Sequence, residues 1–186
     1  MKKLFKPICL ILIVLTVVSA GFSFHLYKEL KAERESRAGQ AMNAWNQLAV
    51  MATECKKIDS KETLDNFHFY ENGILFAVED SLSPNFSNVR ELDTYHSNFL
   101  TTWYSSFVLD MYLSKDDEKF EEKLSLLKDI TADIYDICAK ALNFDDKSGY
   151  KPTDLIDSKS ELYNELESMM AGLSLKYVDK LKEMGE

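Results

Sequence analysis

The side chains best suited to chemistry in this sequence are two histidines and two carboxylates, at His68, Glu71, Asp93 and His96. His68 and Glu71 are three residues apart, as are Asp93 and His96, so on a helix the two members of each pair share one face. Histidine and carboxylate together can bind a metal ion or transfer a proton. In an antiparallel hairpin of two helices, Glu71 and His96 would lie at the same level.

The spacing of these four residues does not favour a metal site. Carboxylate-bridged metal bundles use Glu-x-x-His on two helices and a further glutamate from each of two others. Here one motif is Asp93-x-x-His96 and the other is reversed, His68-x-x-Glu71. We therefore predict no metal and no cofactor, and expect Glu71 and His96 either to form a polar pair that satisfies itself and fixes helix register or simply to be exposed. A metal or proton-transfer site at the four residues is the alternative.

Other motifs of catalysis are absent from the sequence. It has no glycine-rich phosphate loop, paired-cysteine metal motif, His-Glu-x-x-His zinc motif or Gly-x-Ser-x-Gly elbow. Cys55 and Cys138 are expected to be buried thiols that form no disulfide, because a simple bundle places them about 33 Å apart. The sequence therefore favours a non-catalytic protein, with an enzyme of unknown class as an alternative.

Aromatic residues are concentrated in the second and third predicted helices and cover more than one helix face. This distribution is typical of helices in the middle of a bundle, in contact with two neighbours. Two further interpretations stay open. The helices could line an apolar pocket for a small molecule, or outer residues such as Tyr70 and Tyr104 could form an interface with a partner.

Helical periodicity dominates the sequence after residue 28. Short connections between long helices imply antiparallel neighbours. The predicted fold is all-α, with an N-terminal transmembrane or signal helix followed by an antiparallel up-down bundle of four to five long helices. Five helices are predicted: one to about residue 58, one from 59 or 60 to 82, one after Pro84, one from the acidic turn at 116–118, and one capped by Asp157 or Ser158.

Apolar residues at steps of three and four predict the face that each helix buries. In the first helix these residues are Ala41, Trp45, Leu48, Ala52 and Cys55, with Met51 and Ile58 beside them. In the fourth helix they are Phe120, Leu124, Leu127, Ile134, Cys138 and Ala141. In the fifth helix they are Leu162, Leu166, Met169, Leu173, Tyr177 and Leu181.

The segment 66–79 allows more than one local structure. Asn72-Gly73 lies between alternating apolar residues, which is a short-range signal for a β-hairpin. Helical spacing fits the same residues, and a single hairpin without a third strand is marginal in water. A continuous helix is favoured, and a helix broken at Asn72-Gly73 or a hairpin are the alternatives.

Residues 8–27 contain no charged side chain and are mostly apolar. Twenty helical residues span about 30 Å, the thickness of the hydrocarbon core of a bilayer. Lys2, Lys3 and Lys6 precede the segment, which favours a single-pass signal-anchor with the amino terminus inside the cell. A signal peptide cleaved after Ala20, giving a secreted protein, is the alternative.

The resulting organisation has three parts: a membrane anchor or signal segment at 1–27, a charged helical stalk at 28–39, and an extracytoplasmic helical bundle at 40–186. The whole chain carries a net charge of −9, whereas from Lys28 onward 19 basic and 31 acidic residues give −12. Such a surface repels phosphate backbones, so we expect no nucleic-acid partner.

These properties favour a membrane-tethered module that acts through protein–protein interaction or a structural role. The expected partner is another envelope protein or a second copy of the chain. A helical bundle that binds a small molecule or a metal ion, using the aromatic second and third helices, is the alternative.

Overall fold

The computed structural model describes residues 2–64, 99, 107–113, 118–144 and 149–184, with side chains described from Leu12 onward. Within these ranges every regular element is helical and no strand occurs. The predicted all-α helical bundle is therefore confirmed for this part of the chain. The segment 66–79, with its three alternative structures, lies outside the described residues.

Helix α1 runs from Lys2 to Cys55. The chain divides into two compact units within this helix, residues 1–37 and residues 38–186. In the second unit, buried residues of α1 recur at steps of three and four, which keeps them on one stripe of the helix. The predicted face of the first helix is confirmed, because all of its residues are buried: Ala41, Trp45, Leu48, Met51, Ala52, Cys55 and Ile58.

The first unit is the part of α1 that contains the predicted anchor or signal segment. Among the residues whose side chains are described, no helix holds an apolar stretch long enough to cross a membrane. The predicted segment begins at Ile8, so the side chains of its first four residues, 8–11, are not among the described side chains. Its large apolar side chains from Leu12 onward are exposed: Leu12, Ile13, Val14, Leu15, Val17, Val18, Phe22, Phe24, Leu26 and Tyr27.

A turn follows α1 and leads into the helical residues 61–64. The Ser60 N–H donates to Thr63 Oγ1 at 3.0 Å, and the Thr63 N–H donates to Ser60 Oγ at 3.4 Å. This reciprocal pair satisfies N–H groups that the first turn of a helix leaves without partners. The predicted helix start at Asp59 or Ser60 is confirmed, and the remainder of that predicted helix lies outside the described residues.

Helix α2 covers Leu109–Leu113, and helix α3 covers Phe120–Ala141. Glu121 and Glu122 lie in the first turn of α3, where negative charge favours the positive end of the helix dipole. The helix buries one face in the core, and the predicted face of the fourth helix is confirmed on α3. Its buried residues include Phe120, Leu124, Leu127, Ile134, Cys138 and Ala141.

The connection after α3 contains Gly149, whose φ of 67° is a left-handed conformation that glycine adopts without strain. A short 3₁₀ helix, Pro152–Leu155, follows, and its Leu155 side chain packs into the core. Buried contacts of this kind fix the path of the connection against the bundle.

Helix α4 covers Glu161–Met184, and its first turn is capped by Ser160. The Ser160 Oγ accepts the Tyr163 N–H at 3.0 Å and donates to the Asp154 carbonyl at 2.6 Å. The predicted cap at Asp157 or Ser158 is therefore wrong by two or three residues. Asp157 instead accepts the Lys159 N–H within the preceding turn, at 3.1 Å.

Helices α3 and α4 pack against each other as antiparallel neighbours. Asp133 of α3 contacts Lys176 of α4, and Lys140, two turns further along α3, contacts Glu165. The residue number on α4 decreases as the residue number on α3 increases, so the two helices run in opposite directions. The antiparallel arrangement predicted for these neighbours is confirmed.

The predicted buried face of α4 is wrong at one residue, Met169. Met169 is 36% exposed, whereas the adjacent Met170 is buried. Two consecutive methionines fit the apolar stripe almost equally well, and packing in the bundle decides which one enters the core. The other predicted residues are buried: Leu162, Leu166, Leu173, Tyr177 and Leu181.

Cys55 and Cys138 are buried and form no disulfide, as predicted. The predicted separation of about 33 Å is wrong. The Lys56 ammonium lies 4.1 Å from the centre of the Tyr135 ring, and Tyr135 precedes Cys138 by three residues. The end of α1 therefore contacts the second half of α3 rather than its beginning.

Candidate functional site

The polar cluster predicted from the sequence, His68, Glu71, Asp93 and His96, lies outside the described residues. The predicted interface residues Tyr70 and Tyr104 lie outside them as well. In the part of the chain that the structure describes, no group of three or more His, Cys, Asp or Glu side chains could hold a metal ion. Three of the aromatic residues of the third predicted helix are described: Phe99 and Phe107 are buried, and Tyr112 is half-buried.

The candidate binding site in the described structure is a surface groove between α3 and α4. Its volume is about 290 Å³. Buried Ile137 and Leu173 form an apolar floor, since both helices turn an aliphatic residue toward the seam between them. The remaining lining residues are Asp133, Asp136, Met169, Gly172 and Lys176.

Asp133 links the two walls of this groove. Its Oδ2 accepts the Lys176 ammonium at 2.6 Å and the Tyr177 hydroxyl at 2.8 Å. Tyr177 is only 2% exposed, so its hydroxyl is a buried polar group that needs this acceptor. The carboxylate therefore holds α3 and α4 in register at this point.

The same contacts set the protonation of the groove. The hydrogen bond to Asp133 raises the pKa of the Lys176 ammonium well above its usual range. Burial raises the pKa of the Tyr177 phenol. Both groups therefore keep their protons at neutral pH, and neither is a base or a nucleophile there. What these groups offer is a fixed charge and an apolar surface.

Other residues of the groove remain available for contacts. Asp136 is exposed and makes no ion pair within the described part of the chain. Met169 presents a flexible apolar side chain, which adapts to varied surfaces. Gly172 is exposed, and a Cβ added there would meet no atom within 4 Å. The middle of the groove is therefore an open apolar surface beside the Asp136 carboxylate.

A second charged contact between α3 and α4 lies two turns from Asp133. Lys140 Nζ is 2.7 Å from Glu165 Oε2, and it lies 5.6 Å from the centre of the Tyr150 ring. The hydrogen bond to Glu165 raises the pKa of Lys140, and burial raises the pKa of Tyr150. This contact ties the connection after α3 to both helices, and we interpret it as structural.

Cys138 is not a candidate nucleophile. Burial raises the pKa of its thiol from 9.0 to about 12. The thiolate is the reactive form of cysteine, so a thiol that stays protonated at neutral pH is inert. Cys138 acts as a small apolar residue of the core.

Sequence reasoning missed two features of these helices. Lys123 is buried on α3, and its ammonium lies 2.7 Å from Asp110 Oδ2 on α2. The spacing of apolar residues in α3 does not predict a buried charge at this position. Gly172 was not singled out either. Its signal is a glycine in the interior of a long helix, where it costs stability without forming a turn or a cap.

Compared with protein families, curated proteins and solved structures, the chain matches none of them.

Proposed function

We propose that the protein is a membrane-tethered, extracytoplasmic helical module that acts through protein–protein contacts and not through catalysis. Residues 8–27 hold it in the membrane with the amino terminus inside. The bundle that follows lies outside the cytoplasm, where it contacts another envelope protein or a second copy of the chain.

The observation that carries this proposal is the change of surface along α1. From Leu12 to Tyr27 the large apolar side chains are exposed on all sides of the helix, whereas from Ala38 onward one face is buried in the core. A helix that is apolar on all sides is normally buried in a lipid bilayer or a protein interior and is not exposed to water. Lys2, Lys3 and Lys6 at its start favour an amino terminus on the cytoplasmic side.

The character of the described bundle supports contact rather than chemistry. Its groove between α3 and α4 offers an apolar floor, carboxylates and a protonated lysine, and its buried Cys138 thiol is inert. The net charge of −12 from Lys28 onward favours cationic partners and disfavours nucleic acids.

Thiol labelling in intact cells tests the location of the bundle. Ser158 is exposed, so Ser158→Cys places an accessible thiol on the turn before α4. A membrane-impermeant maleimide is added to cells that express the full chain. Wild type is the matched control, because its Cys55 and Cys138 thiols are buried and its Cys9 lies within the proposed membrane segment. We expect Ser158→Cys to be labelled before lysis and wild type to remain unlabelled.

Labelling of Ser158→Cys only after lysis would place the bundle in the cytoplasm and overturn the proposal. Intact mass of the same preparation tests the tether. A mass that includes residues 1–20, with the protein in the membrane fraction after alkaline extraction, supports an anchor. Loss of residues 1–20 would replace the tethered protein with a secreted one.

A further inference from the structure

The groove between α3 and α4 has the composition of a surface that receives a helix. We propose that it binds one basic amphipathic helix of a partner protein. Apolar residues of that helix pack on Ile137, Met169 and Leu173, and a lysine or arginine faces Asp136. The inference rests on the proposed function, since it specifies where the protein–protein contact is made and with what chemistry.

The shape of the groove favours a helix over a small molecule. It is open to solvent along the seam of two antiparallel helices, and its volume of about 290 Å³ lies at the lower limit of small-molecule pockets. Parallel ridges of side chains with a groove between them are the surface on which a third helix packs. Amphipathic helices bind such grooves through a few apolar side chains spaced three or four residues apart.

Charge favours a basic partner. Asp129, Asp133 and Asp136 follow one another on α3 at steps of four and three, so they lie along one side of the helix. Lys176 offsets Asp133, whereas Asp129 and Asp136 make no ion pair within the described part of the chain. A symmetric dimer built on this face would have to supply the cation for Asp136 from the same face, and the lysine that lines the groove, Lys176, is already paired with Asp133. A lysine or arginine of another protein supplies a cation that is not already paired.

Gly172 gives an independent reason to expect close approach. It lies in the interior of α4, is exposed, and has open space where a Cβ would be. The absence of a side chain lets a neighbouring backbone or a bulky side chain approach the helix closely. Exposed Met169, one turn before it on the same wall, supplies an adaptable apolar contact.

A pair of defined peptides tests the proposal on the full chain in neutral-lipid nanodiscs. Both peptides have about 18 residues, enough for helix formation, and the same leucine spacing, but one carries lysines and the other glutamates. Binding is followed by the methyl NMR signal of Met169, and empty nanodiscs measure the background. We expect the leucine–lysine peptide to shift this signal and the leucine–glutamate peptide to leave it unchanged.

Two variants in the groove, Gly172→Leu and Asp136→Lys, and one control, Gly39→Leu, locate the binding. Gly172→Leu places a side chain in the groove, and its Cβ meets no atom within 4 Å, so we expect the fold to be retained. Gly39→Leu makes the same change at another exposed helical glycine. We expect Gly172→Leu and Asp136→Lys to weaken binding at least tenfold and Gly39→Leu to leave it unchanged. An unshifted Met169 signal, or equal effects of Gly172→Leu and Gly39→Leu, would overturn the proposal.

Photo-crosslinking in cells separates this inference from the proposed function. A crosslinking residue replaces Met169, or replaces Val50 or Leu113, which are exposed at other surfaces. A basic helix of another protein crosslinked at 169 supports the groove. A partner crosslinked only at 50 or 113, or a second copy at 169, overturns the groove and leaves the function standing. No protein adduct at any of the three positions overturns both.

Discussion

The contact of Asp133 with Lys176 and Tyr177 predicts a specific loss of stability when the carboxylate is removed. Asp133→Ala deletes the acceptor of the buried Tyr177 hydroxyl at 2.8 Å and the partner of the Lys176 ammonium at 2.6 Å. Because both partners lie on α4, the substitution weakens the packing of α3 against α4.

The magnitude follows from the exposure of the two partners. A hydrogen bond from a neutral donor to a charged acceptor contributes about 1.5–3 kcal/mol to the free energy of unfolding. We apply this range to the Tyr177 hydroxyl because the Tyr177 residue is only 2% exposed. The Lys176 side chain is 56% exposed, so its ion pair contributes about 0–1 kcal/mol. Alanine recovers roughly 0.5 kcal/mol of helix propensity over aspartate. The expected net loss in the free energy of unfolding is about 2 kcal/mol.

Asp136→Ala is the matched control, since it makes the same replacement one turn further along α3 without removing an ion pair within the described part of the chain. Urea unfolding of the full chain in a mild non-ionic detergent, followed by tryptophan fluorescence, measures both variants. Asp136→Ala is expected to be neutral or slightly stabilising. If the two variants unfold within about 0.5 kcal/mol of each other, Asp133 does not hold the helices together.

Four further predictions concern the core, a cap, a glycine and a thiol. Trp45→Ala removes a side chain that is 1% exposed and should cost about 3–5 kcal/mol in urea unfolding; a loss below about 1 kcal/mol would contradict its core position. Ser160→Ala should lower stability by about 1 kcal/mol through loss of the α4 cap, with Ser158→Ala as the neutral control; equal melting temperatures of the two would contradict the cap. Gly172→Ala should stabilise the chain by about 0.5–1 kcal/mol in thermal unfolding, because its Cβ meets open space; destabilisation would mean that the space is filled. Because burial disfavours the Cys138 thiolate, only the unfolded state ionises between pH 9.0 and about 12, so the free energy of unfolding should fall by about 1.4 kcal/mol per pH unit in this window. Cys138→Ala should flatten this pH dependence; an unchanged slope would contradict the burial of the thiol.

Much of the described fold was predictable because helical periodicity is a local property. The stripe from Ala41 to Cys55 requires only that apolar residues recur at steps of three and four, and burial of that stripe follows from the hydrophobic effect. The start of the next helix at Ser60 was predictable for a similar reason, since a capping pair is encoded within four residues.

The errors fall where a neighbouring helix decides between nearly equal local choices. Met169 and Met170 both suit the stripe of α4, and packing in the bundle places Met170 in the core, whereas Met169 lies in the groove between α3 and α4. Lys123 enters the core because Asp110 of another helix supplies a carboxylate, which no local pattern encodes. The separation of Cys55 and Cys138 was wrong because the level at which α1 ends against α3 depends on packing alone.

The candidate site was less predictable than the fold. The groove depends on which faces of α3 and α4 meet. The sequence does not encode that contact locally, so the positions of Asp133, Asp136 and Gly172 in one groove could not be predicted from it. The four polar residues that the sequence singled out, at positions 68, 71, 93 and 96, lie outside the described residues, and their pairing stays a prediction.

By itself, the sequence determined the helical class, the apolar stripes of α1, α3 and α4, the burial of both cysteines of the bundle and the concentration of negative charge after Lys28. These properties depend on composition and on the spacing of neighbours along the chain. Only the tertiary structure decided which methionine is exposed, which carboxylate holds Tyr177, and where an open apolar groove lies. The physical reason is that such features arise between helices, where burial and charge pairing join residues more than forty positions apart.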